Sequence, residues 1–299
     1  MSASLQRQAK LWLLASRPKT LFAALAPVIL GTALAYSVNH GHFLCAIAAL
    51  LGAIGIQIGT NLANDYWDDK KGADTNDRLG PVRVTSSGLL SPRSVFVAML
   101  LAFIAAGLAG LYLIYEAGWP VFWIGITSIF CGIIYTAGPF PLAYLGLGDV
   151  FTFVFFGPVA TMGTYYVQAN DISFASLLLG CVPGVYSVVL IALNNLRDRE
   201  SDILVNKKTL AVRFGAGFAR AEIGLCLFAP VIFILLLFLH AHLSAISATV
   251  CITICLFGGL AILLPVYRIR DMSLINGLFP RTGILSLVMA ALLSLFLLL

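Results

Sequence analysis

The sequence predicts an all-α, polytopic membrane protein, with about nine transmembrane helices around a central cavity that opens toward the cytoplasmic side. Three observations support this fold class. Of the 299 residues, 60% are hydrophobic and only 10% are charged, whereas a soluble domain has about 25% charged residues. The apolar residues fall into runs of about 20, the length that crosses a bilayer as a helix. The basic residues concentrate in every second connection between these runs.

Each predicted span is an apolar run that ends at a polar or a short connection. The nine spans cover residues 20–38, 43–66, 94–115, 119–138, 147–168, 173–196, 218–239, 244–264 and 279–298. The polar connections are 67–93, 197–217 and 265–278, and the short ones are 39–42, 116–118, 169–172 and 240–243. Because little sequence lies outside the spans, we expect residues 1–299 to form a single integral membrane domain.

The basic residues indicate the orientation of the chain in the membrane. With nine spans, all 18 lysines and arginines fall on the side of the N-terminus. The positive-inside rule assigns that side to the cytoplasm, which predicts a multi-pass protein of the inner (cytoplasmic) membrane with its active site on the cytoplasmic face. This topology explains the net charge of +5, so no nucleic-acid partner is expected.

Acidic residues concentrate at the ends of two predicted helices. Five lie at or just after the end of the second span: Asp65, Asp68, Asp69, Asp74 and Asp77. Three follow the sixth span: Asp198, Glu200 and Asp202. Residues three or four apart share one helix face. The spacing therefore predicts two polar stripes, one formed by Asn61, Asn64, Asp65 and Asp68 and the other by Asn194, Asp198 and Asp202.

The composition of these stripes predicts a site for a hard cation and an anion. All the candidate ligands are oxygens, which favours Mg²⁺, a cation that takes one or two carboxylates and completes its shell with water and phosphate oxygens. Basic residues near the stripes could bind the remaining charge of a diphosphate: Lys70, Lys71, Arg78, Arg197, Lys207 and Lys208. Alternatively, the acids are solvated helix ends, and the topology alone accounts for the basic residues.

Two motifs in this nine-span context carry a resemblance: N-D-x-x-D at 64–68 and D-x-x-x-D at 198–202. Together with R-P-K-T at 17–20, they resemble the UbiA superfamily of intramembrane prenyltransferases over essentially the whole chain. Further strings resemble the 1,4-dihydroxy-2-naphthoate polyprenyltransferases of menaquinone biosynthesis: N-L-A-N-D-Y-x-D at 61–68, D-R-L-G-P-V-R at 77–83, Y-L-G-L-G-D at 144–149, N-N-L-R-D at 194–198 and K-K-T-L-A-V-R-F-G at 207–215.

The resemblance implies transfer of a polyprenyl group from an allylic polyprenyl diphosphate to 1,4-dihydroxy-2-naphthoate with decarboxylation, giving demethylmenaquinol. It also implies that Asn64 and Asp68 face one Mg²⁺ and that Asp198 and Asp202 face another. Supporting positions would be Asn61, Asp65 and Asn194. The superfamily has a further aspartate where this chain has Gly72, and either Asp69 or Asp74 could replace it.

Other candidate residues have two interpretations each. Asp149 could orient the naphthoate or take a proton, or it could cap the helix after Gly148. Tyr135 is a candidate aromatic site residue, and Arg17 either contacts phosphate or snorkels toward the membrane surface. Aromatic residues at 150–157 and at Tyr165 and Tyr166 could face an allylic cation or simply pack against neighbours or lipid.

Competing functions differ in their acceptor or in their class. Within the same chemistry, the acceptor could be 4-hydroxybenzoate or haem. A cation-coupled secondary transporter would instead place charged residues near the middle of the membrane, whereas the acids here cluster at the cytoplasmic ends of the predicted spans. A polyprenyl chain attached to a diphosphate at the helix ends also predicts a lateral opening from the cavity into the bilayer.

Overall fold

The structure is a computed structural model that describes residues 3–72 and 79–299. Three residues predicted to bind metal or diphosphate, Asp74, Asp77 and Arg78, lie outside these ranges. The secondary structure in the described ranges is helical. Its helices are α1 (Ala3–Ser16), α2 (Pro18–Ser37), α3 (Phe43–Lys70), α4 (Pro92–Ala117), α5 (Trp119–Ile134), α6 (Gly148–Val154), α7 (Ala160–Ala169), α8 (Phe174–Arg197), α9 (Arg199–Leu204), α10 (Leu210–Phe228), α11 (Pro230–Leu239), α12 (Ala245–Arg268) and α13 (Leu278–Leu298).

Short non-α segments join some of these helices into longer spans. A π-helical turn, Phe155–Val159, connects α6 to α7, and a 3₁₀-helix, Met272–Gly277, precedes α13. With these joined, the described residues contain eight helical segments long and apolar enough to cross a membrane. The remaining predicted span corresponds to α5, which has only 16 residues and so is roughly 24 Å long. It ends at Ile134, and the loop that follows contains Gly138, Pro139 and Pro141.

Polar side chains begin several of the helices. The side chains of Ser91, Ser173, Thr209 and Ser244 each accept a hydrogen bond from the backbone N–H three residues later. Such caps satisfy N–H groups that have no partner within the helix. Gly118 ends α4 with φ at 80°, a conformation that glycine adopts readily, and this tight turn lets α5 begin at the next residue.

The central helix of the bundle is α8. Of its most apolar stretch, 83% is buried, compared with 22% of the corresponding stretch of α3. Close packing against the α6–α7 span requires glycine, because a Cβ atom at Gly157 or Gly180 would lie 2.7 Å or 2.8 Å from backbone atoms of the facing segment. Pro158 lies within the same π-helical turn and cannot donate a backbone hydrogen bond there.

Three apolar cores hold the described helices together, and the two with the most residues include parts of α8 and α3. The larger one surrounds α8 and includes Leu30 of α2, Ile223 of α10 and Met289 of α13. The smaller one joins α3 and α4 through residues such as Leu62 and Phe103. Asn64 near the C-terminal end of α3 and Asn194 near the C-terminal end of α8 line the same cavity, so the helix ends that carry the two acidic motifs lie on the same side of the bundle.

Candidate active site

Residues of both acidic motifs line one cavity of about 530 Å³. The first motif contributes Asn61, Asn64 and Asp68, and the second contributes Asn194. Other polar or aromatic residues of the lining include Arg17, Thr20, Gln57, Arg83, Tyr135, Thr136, Asn195 and Lys207. The rest of the lining is mostly alanine, glycine, isoleucine and phenylalanine from α2–α5 and from the α6–α7 span. The cavity therefore has a polar end at the acidic motifs and an apolar body.

The first motif is buried and surrounded by cations. Asp65 is 2% exposed, and its carboxylate accepts hydrogen bonds from Arg17 and from Arg83. Arg83 also donates to Asp68 at 3.2 Å, so one guanidinium bridges both aspartates. Asn64 accepts a hydrogen bond from the Thr136 hydroxyl at 3.0 Å.

The second motif is organised by Arg197, which is 3% exposed. Its Nε and Nη2 donate to the two carboxylate oxygens of Asp198, at 2.7 Å and 2.6 Å. Its other donors reach Asn194 Oδ1 at 2.6 Å and Asn276 Oδ1 at 2.8 Å. Asp202 pairs with Lys207 at 3.4 Å. Arg197 is therefore engaged mainly with the motif itself, although the sequence suggests it as a diphosphate ligand.

The predicted continuous stripe of the second motif is interrupted at Asp198. This residue has φ −92° and ψ 7°, which are not helical values, so α8 ends at Arg197 and α9 begins at Arg199. The backbone N–H of Asp198 still donates to Asn194 at 2.9 Å. Asp198 thus lies at the junction of the two helices and Asp202 lies within α9, and both are buried.

The loop at 135–147 lies between the two motifs. The Nζ atom of Lys71 is 4.9 Å from the centre of the Tyr144 ring, and that of Lys207 is 6.0 Å from it. Lys71 also donates to the backbone carbonyls of Thr136 at 2.6 Å and Gly138 at 3.1 Å. Burial lowers the pKa of the Lys71 ammonium, and the nearby Asp68 carboxylate opposes this effect.

A hydrogen-bonded link also ties the second motif to the segment that follows the first. Asn276 accepts from Arg197 through its side-chain oxygen and donates from its Nδ2 to the carbonyl of Leu79 at 2.8 Å. The 3₁₀-helix Met272–Gly277 therefore holds Arg197 on one side and the start of the 79–91 segment on the other.

Some predicted residues lie away from the cavity. The ammonium of Lys70 is exposed and lies over the rings of Tyr66 and Trp67, 4.6 Å and 5.2 Å from their centres. Lys208 is exposed, and Asp69 is not among the residues that line the cavity. None of these three residues lines the cavity.

The predicted aromatic residues divide into two groups. Phe151, Phe155 and Phe156 line the cavity, with the first two rings stacked at 6.2 Å. Tyr165 instead belongs to the larger core, and the hydroxyl of Tyr166 donates to the Ala117 carbonyl at 3.3 Å. The α6–α7 span therefore presents phenylalanine rings to the cavity, while both tyrosines serve packing.

Asp149 does not cap its helix. Residue Leu147 is the N-cap of α6, with no side-chain hydrogen bond, so the capping interpretation is wrong. Asp149 is 5% exposed, and its Oδ1 has no hydrogen-bond partner within residues 3–72 and 79–299. Tyr135 lines the cavity and lies against Gly148, where an added Cβ atom would be 2.8 Å from the tyrosine hydroxyl.

Arg83 is a site residue to which sequence reasoning assigned no role. Its side chain is 10% exposed, lines the cavity and contacts both aspartates of the first motif. In the sequence, an arginine in a cytoplasmic connection is expected from topology alone, so only its place in the string D-R-L-G-P-V-R could have indicated it.

The donor set at the polar end is compatible with Mg²⁺. In the described part of the chain, no group of three or more His, Cys, Asp or Glu side chains forms a complete metal cage. Such a cage is not required, because Mg²⁺ needs only one or two carboxylates when phosphate oxygens and water complete its octahedral shell. Asn64, Asp68, Asn194 and Asp198 carry side-chain oxygens of the type that this arrangement uses.

Comparisons with known proteins agree with this architecture. The model of the UbiA prenyltransferase family matches residues 24–279. The 1,4-dihydroxy-2-naphthoate octaprenyltransferase of Mycobacterium tuberculosis is 40% identical over 210 residues, which are 70% of this chain and 71% of that protein. The Escherichia coli protein of the same name is 40% identical over 217 residues, 70% of each chain.

The fold is also found in solved structures. A UbiA homolog from Archaeoglobus fulgidus superposes with a TM-score of 0.68 at 14% identity, covering 97% of this chain and 100% of that one. The same homolog bound to DMAPP and Mg²⁺ gives a TM-score of 0.65 over 93% of this chain and 99% of that one. At this identity the likeness concerns the fold. Taken with the matched family model and the 40% identical relatives, these comparisons show that the chain belongs to the UbiA prenyltransferase family.

Proposed function

We propose that this protein transfers a polyprenyl group from an allylic polyprenyl diphosphate to 1,4-dihydroxy-2-naphthoate, with loss of carbon dioxide, to give demethylmenaquinol. The observation that carries the proposal is the single cavity lined by residues of both acidic motifs at one end and by apolar residues elsewhere. A polyprenyl diphosphate has the same polarity, with a multiply charged head and a hydrocarbon chain. The 40% identical relatives named as octaprenyltransferases of this naphthoate support the choice of acceptor.

The diphosphate would bind at the polar end, between the two motifs. Asn64 and Asp68 on α3, and Asp198 and Asp202 beyond α8, are the proposed ligands of Mg²⁺. When bound there, Mg²⁺ supplies a concentrated positive charge that stabilises a leaving diphosphate. Arg17, Arg83 and Lys207 are positioned by their contacts with the aspartates and line the cavity, so their N–H groups can bind the remaining phosphate oxygens.

The apolar body of the cavity would hold the prenyl chain. Ionisation leaves an allylic cation, which must be kept from water. Phe151, Phe155 and Phe156 line the wall, and aromatic faces attract cations without reacting with them. The cavity lining includes Gly107 and Leu111 of α4 and Ile126 of α5, and all three residues are exposed. These residues support an opening toward the lipid through which a long chain can extend.

Bond formation then follows from the charges. The electron-rich naphthoate carbon that bears the carboxylate attacks the allylic cation, so the prenyl–oxygen bond breaks and a carbon–carbon bond forms. The carboxylate leaves as carbon dioxide, and its bonding electrons restore the aromatic ring. Tyr135 lines the cavity, whereas Asp149 is buried outside the lining and interacts electrostatically with Tyr135. Through the Tyr135 hydroxyl, this pair can hold a proton of the acceptor hydroxyl during attack and return it afterwards.

The site is proposed to face the cytoplasm of the inner (cytoplasmic) membrane, within one integral membrane domain that spans residues 1–299. The described lysines and arginines support this orientation, because they lie on the side of the bundle where α3 and α8 end, and cytoplasmic loops carry the excess of basic residues.

Purified protein in liposomes tests the proposal. We expect geranylgeranyl diphosphate and 1,4-dihydroxy-2-naphthoate to yield prenylated, decarboxylated product when Mg²⁺ is present, and EDTA to stop the reaction. Parallel incubations use 4-hydroxybenzoate and haem as acceptors. Product from either of these but none from the naphthoate would overturn the acceptor assignment, and ion flux with no prenylated product would point to transport.

A further inference from the structure

Gln57 is a buried polar residue of α3 that lines the cavity one helical turn before Asn61. It is 6% exposed. Its Nε2 atom donates to Thr20 Oγ1 at 3.0 Å and to Asn61 Oδ1 at 3.4 Å. Its Oε1 atom is buried and has no hydrogen-bond partner in the part of the chain that the structure describes. A buried carbonyl without a partner is unfavourable, so the position of this atom on a cavity wall indicates a ligand.

The surrounding hydrogen bonds determine which atom of the Gln57 side-chain amide lacks a hydrogen-bond partner. The hydroxyl of Thr20 donates its hydrogen to the Arg17 carbonyl at 2.9 Å, so Thr20 Oγ1 can only accept from its other neighbours. Both hydrogens of Asn61 Nδ2 are used, on Thr20 and on the Ser16 carbonyl, each at 2.9 Å, which makes Asn61 Oδ1 an acceptor. Each neighbour of Gln57 therefore requires its NH₂ group, and the carbonyl oxygen is the free atom.

An acceptor atom at this place selects between the two proposed substrates. An ionised diphosphate presents only acceptor oxygens, and a prenyl chain has no hydrogen-bond donor. The phenolic hydroxyls of dihydroxynaphthoate are donors. We propose that Gln57 Oε1 accepts a hydrogen bond from the acceptor's 4-hydroxyl group, which makes Gln57 a specificity-determining residue for dihydroxynaphthoate. This inference rests on the proposed function.

The position of Gln57 along α3 agrees with this orientation of the acceptor. Gln57 precedes Asn64 by seven residues, roughly 10 Å along the helix axis, and so lies deeper in the bundle than the metal ligands. The 4-hydroxyl group is on the ring carbon meta to the carboxylate-bearing carbon. A naphthoate whose carboxylate is directed at the polar end therefore has its 4-hydroxyl group directed away from that end, toward Gln57. Small side chains on the same wall, those of Ala24, Ala53 and Thr60, leave room for a flat bicyclic ring.

A binding experiment without turnover tests the inference. Protein in detergent is loaded with Mg²⁺ and geranyl thiodiphosphate, and two compounds are titrated by calorimetry: 1,4-dihydroxy-2-naphthoate and 1-hydroxy-2-naphthoate, which lacks the 4-hydroxyl group. The wild-type protein is expected to bind the dihydroxy compound about 10- to 100-fold more tightly, the cost of leaving a buried acceptor unpaired. Gln57→Met, which keeps side-chain length without the oxygen, is expected to bind both compounds equally.

The controls separate the possible failures. Gln168→Met makes the same change in α7, outside the cavity lining and where both ends of the amide have partners, and should keep the wild-type preference. Equal wild-type affinities for the two compounds, or an unchanged preference in Gln57→Met, would overturn the inference. Should Gln57→Met not fold, Gln57→Ala repeats the comparison with the same criterion. If neither compound binds the wild-type protein, the proposed function itself fails.

Discussion

The ion pairs of Asp65 with two arginines predict that replacing this aspartate lowers the free energy of unfolding. Asp65 is 2% exposed and accepts hydrogen bonds from both Arg17 and Arg83. Asp65→Asn removes the negative charge from this cluster and keeps the side-chain shape. Arg17 is 25% exposed and can be hydrated, so losing its ion pair with Asp65 costs at most about 1 kcal/mol. Arg83 is 10% exposed and, in this variant, retains its hydrogen bond to Asp68.

The size of the expected decrease in the free energy of unfolding depends mainly on Arg83, which loses one of its two carboxylate partners. Removing the partner of a fully buried charge costs about 3–5 kcal/mol. Because Arg83 keeps one of its two carboxylates, roughly half of that loss applies, and the free energy of unfolding should fall by about 2–3 kcal/mol in total. Urea or SDS unfolding of the metal-free protein in detergent, followed by circular dichroism, measures this quantity.

Asp69→Asn is the matched control, because Asp69 lies four residues further along α3 and outside the cavity lining. It should change the free energy of unfolding by no more than about 0.5 kcal/mol, as surface substitutions usually do. An Asp65→Asn protein as stable as the wild type would refute the buried ion-pair cluster, and with it the assignment of Arg17 and Arg83 to the polar end.

Three further predictions concern the chemistry and the link between motifs. Asp68→Asn and Asp198→Asn should each lower kcat by more than about 100-fold, the scale of losing one group that stabilises the transition state, with the far-ultraviolet circular dichroism unchanged; wild-type turnover in both would contradict the metal assignment. Asn276→Ala should leave a buried Arg197 donor unpaired and lower the free energy of unfolding by about 1–3 kcal/mol. It should also raise the Mg²⁺ concentration needed for half-maximal rate, and an unaltered Mg²⁺ titration would argue that Asn276 does not position Arg197. Arg83→Met should raise KM for the prenyl diphosphate about 10-fold or more, since a charge-assisted hydrogen bond is lost, and an unchanged KM would show that Arg83 does not reach phosphate.

Helix periodicity and charge account for the part of the site that could be predicted. Asn61, Asn64 and Asp68 occupy one face of α3 because residues three or four apart share a face, and all three line the cavity. The all-helical membrane fold follows from the apolar run lengths. Sequence spacing also indicates that the two motifs lie at the same end of the bundle, because an even number of crossings separates them.

Tertiary contacts account for what could not be predicted. Lys70 and Lys71 are adjacent in sequence, yet one lies over Tyr66 on the outer surface and the other binds the 135–147 loop. The helix break at Asp198 could not be predicted, because no proline or glycine lies beside it in the sequence. The role of Arg83 depends on a loop folding back onto α3, a long-range contact that local patterns do not encode. Gln57 carries no signal either, since a single amide in an apolar run is ambiguous until its partners are known.

The central claim is that the two acidic motifs bind one diphosphate together through Mg²⁺. Calorimetric titration of geranyl thiodiphosphate in the presence of Mg²⁺ tests it with the wild-type protein, Asp68→Asn, Asp198→Asn and the double variant. We predict that each single substitution weakens binding at least about 10-fold and that the double variant loses much less than the product of the two effects, because residues that act on one ligand as a unit are not additive. Wild-type affinity in either single variant, or fully multiplicative losses in the double variant, would contradict a shared site.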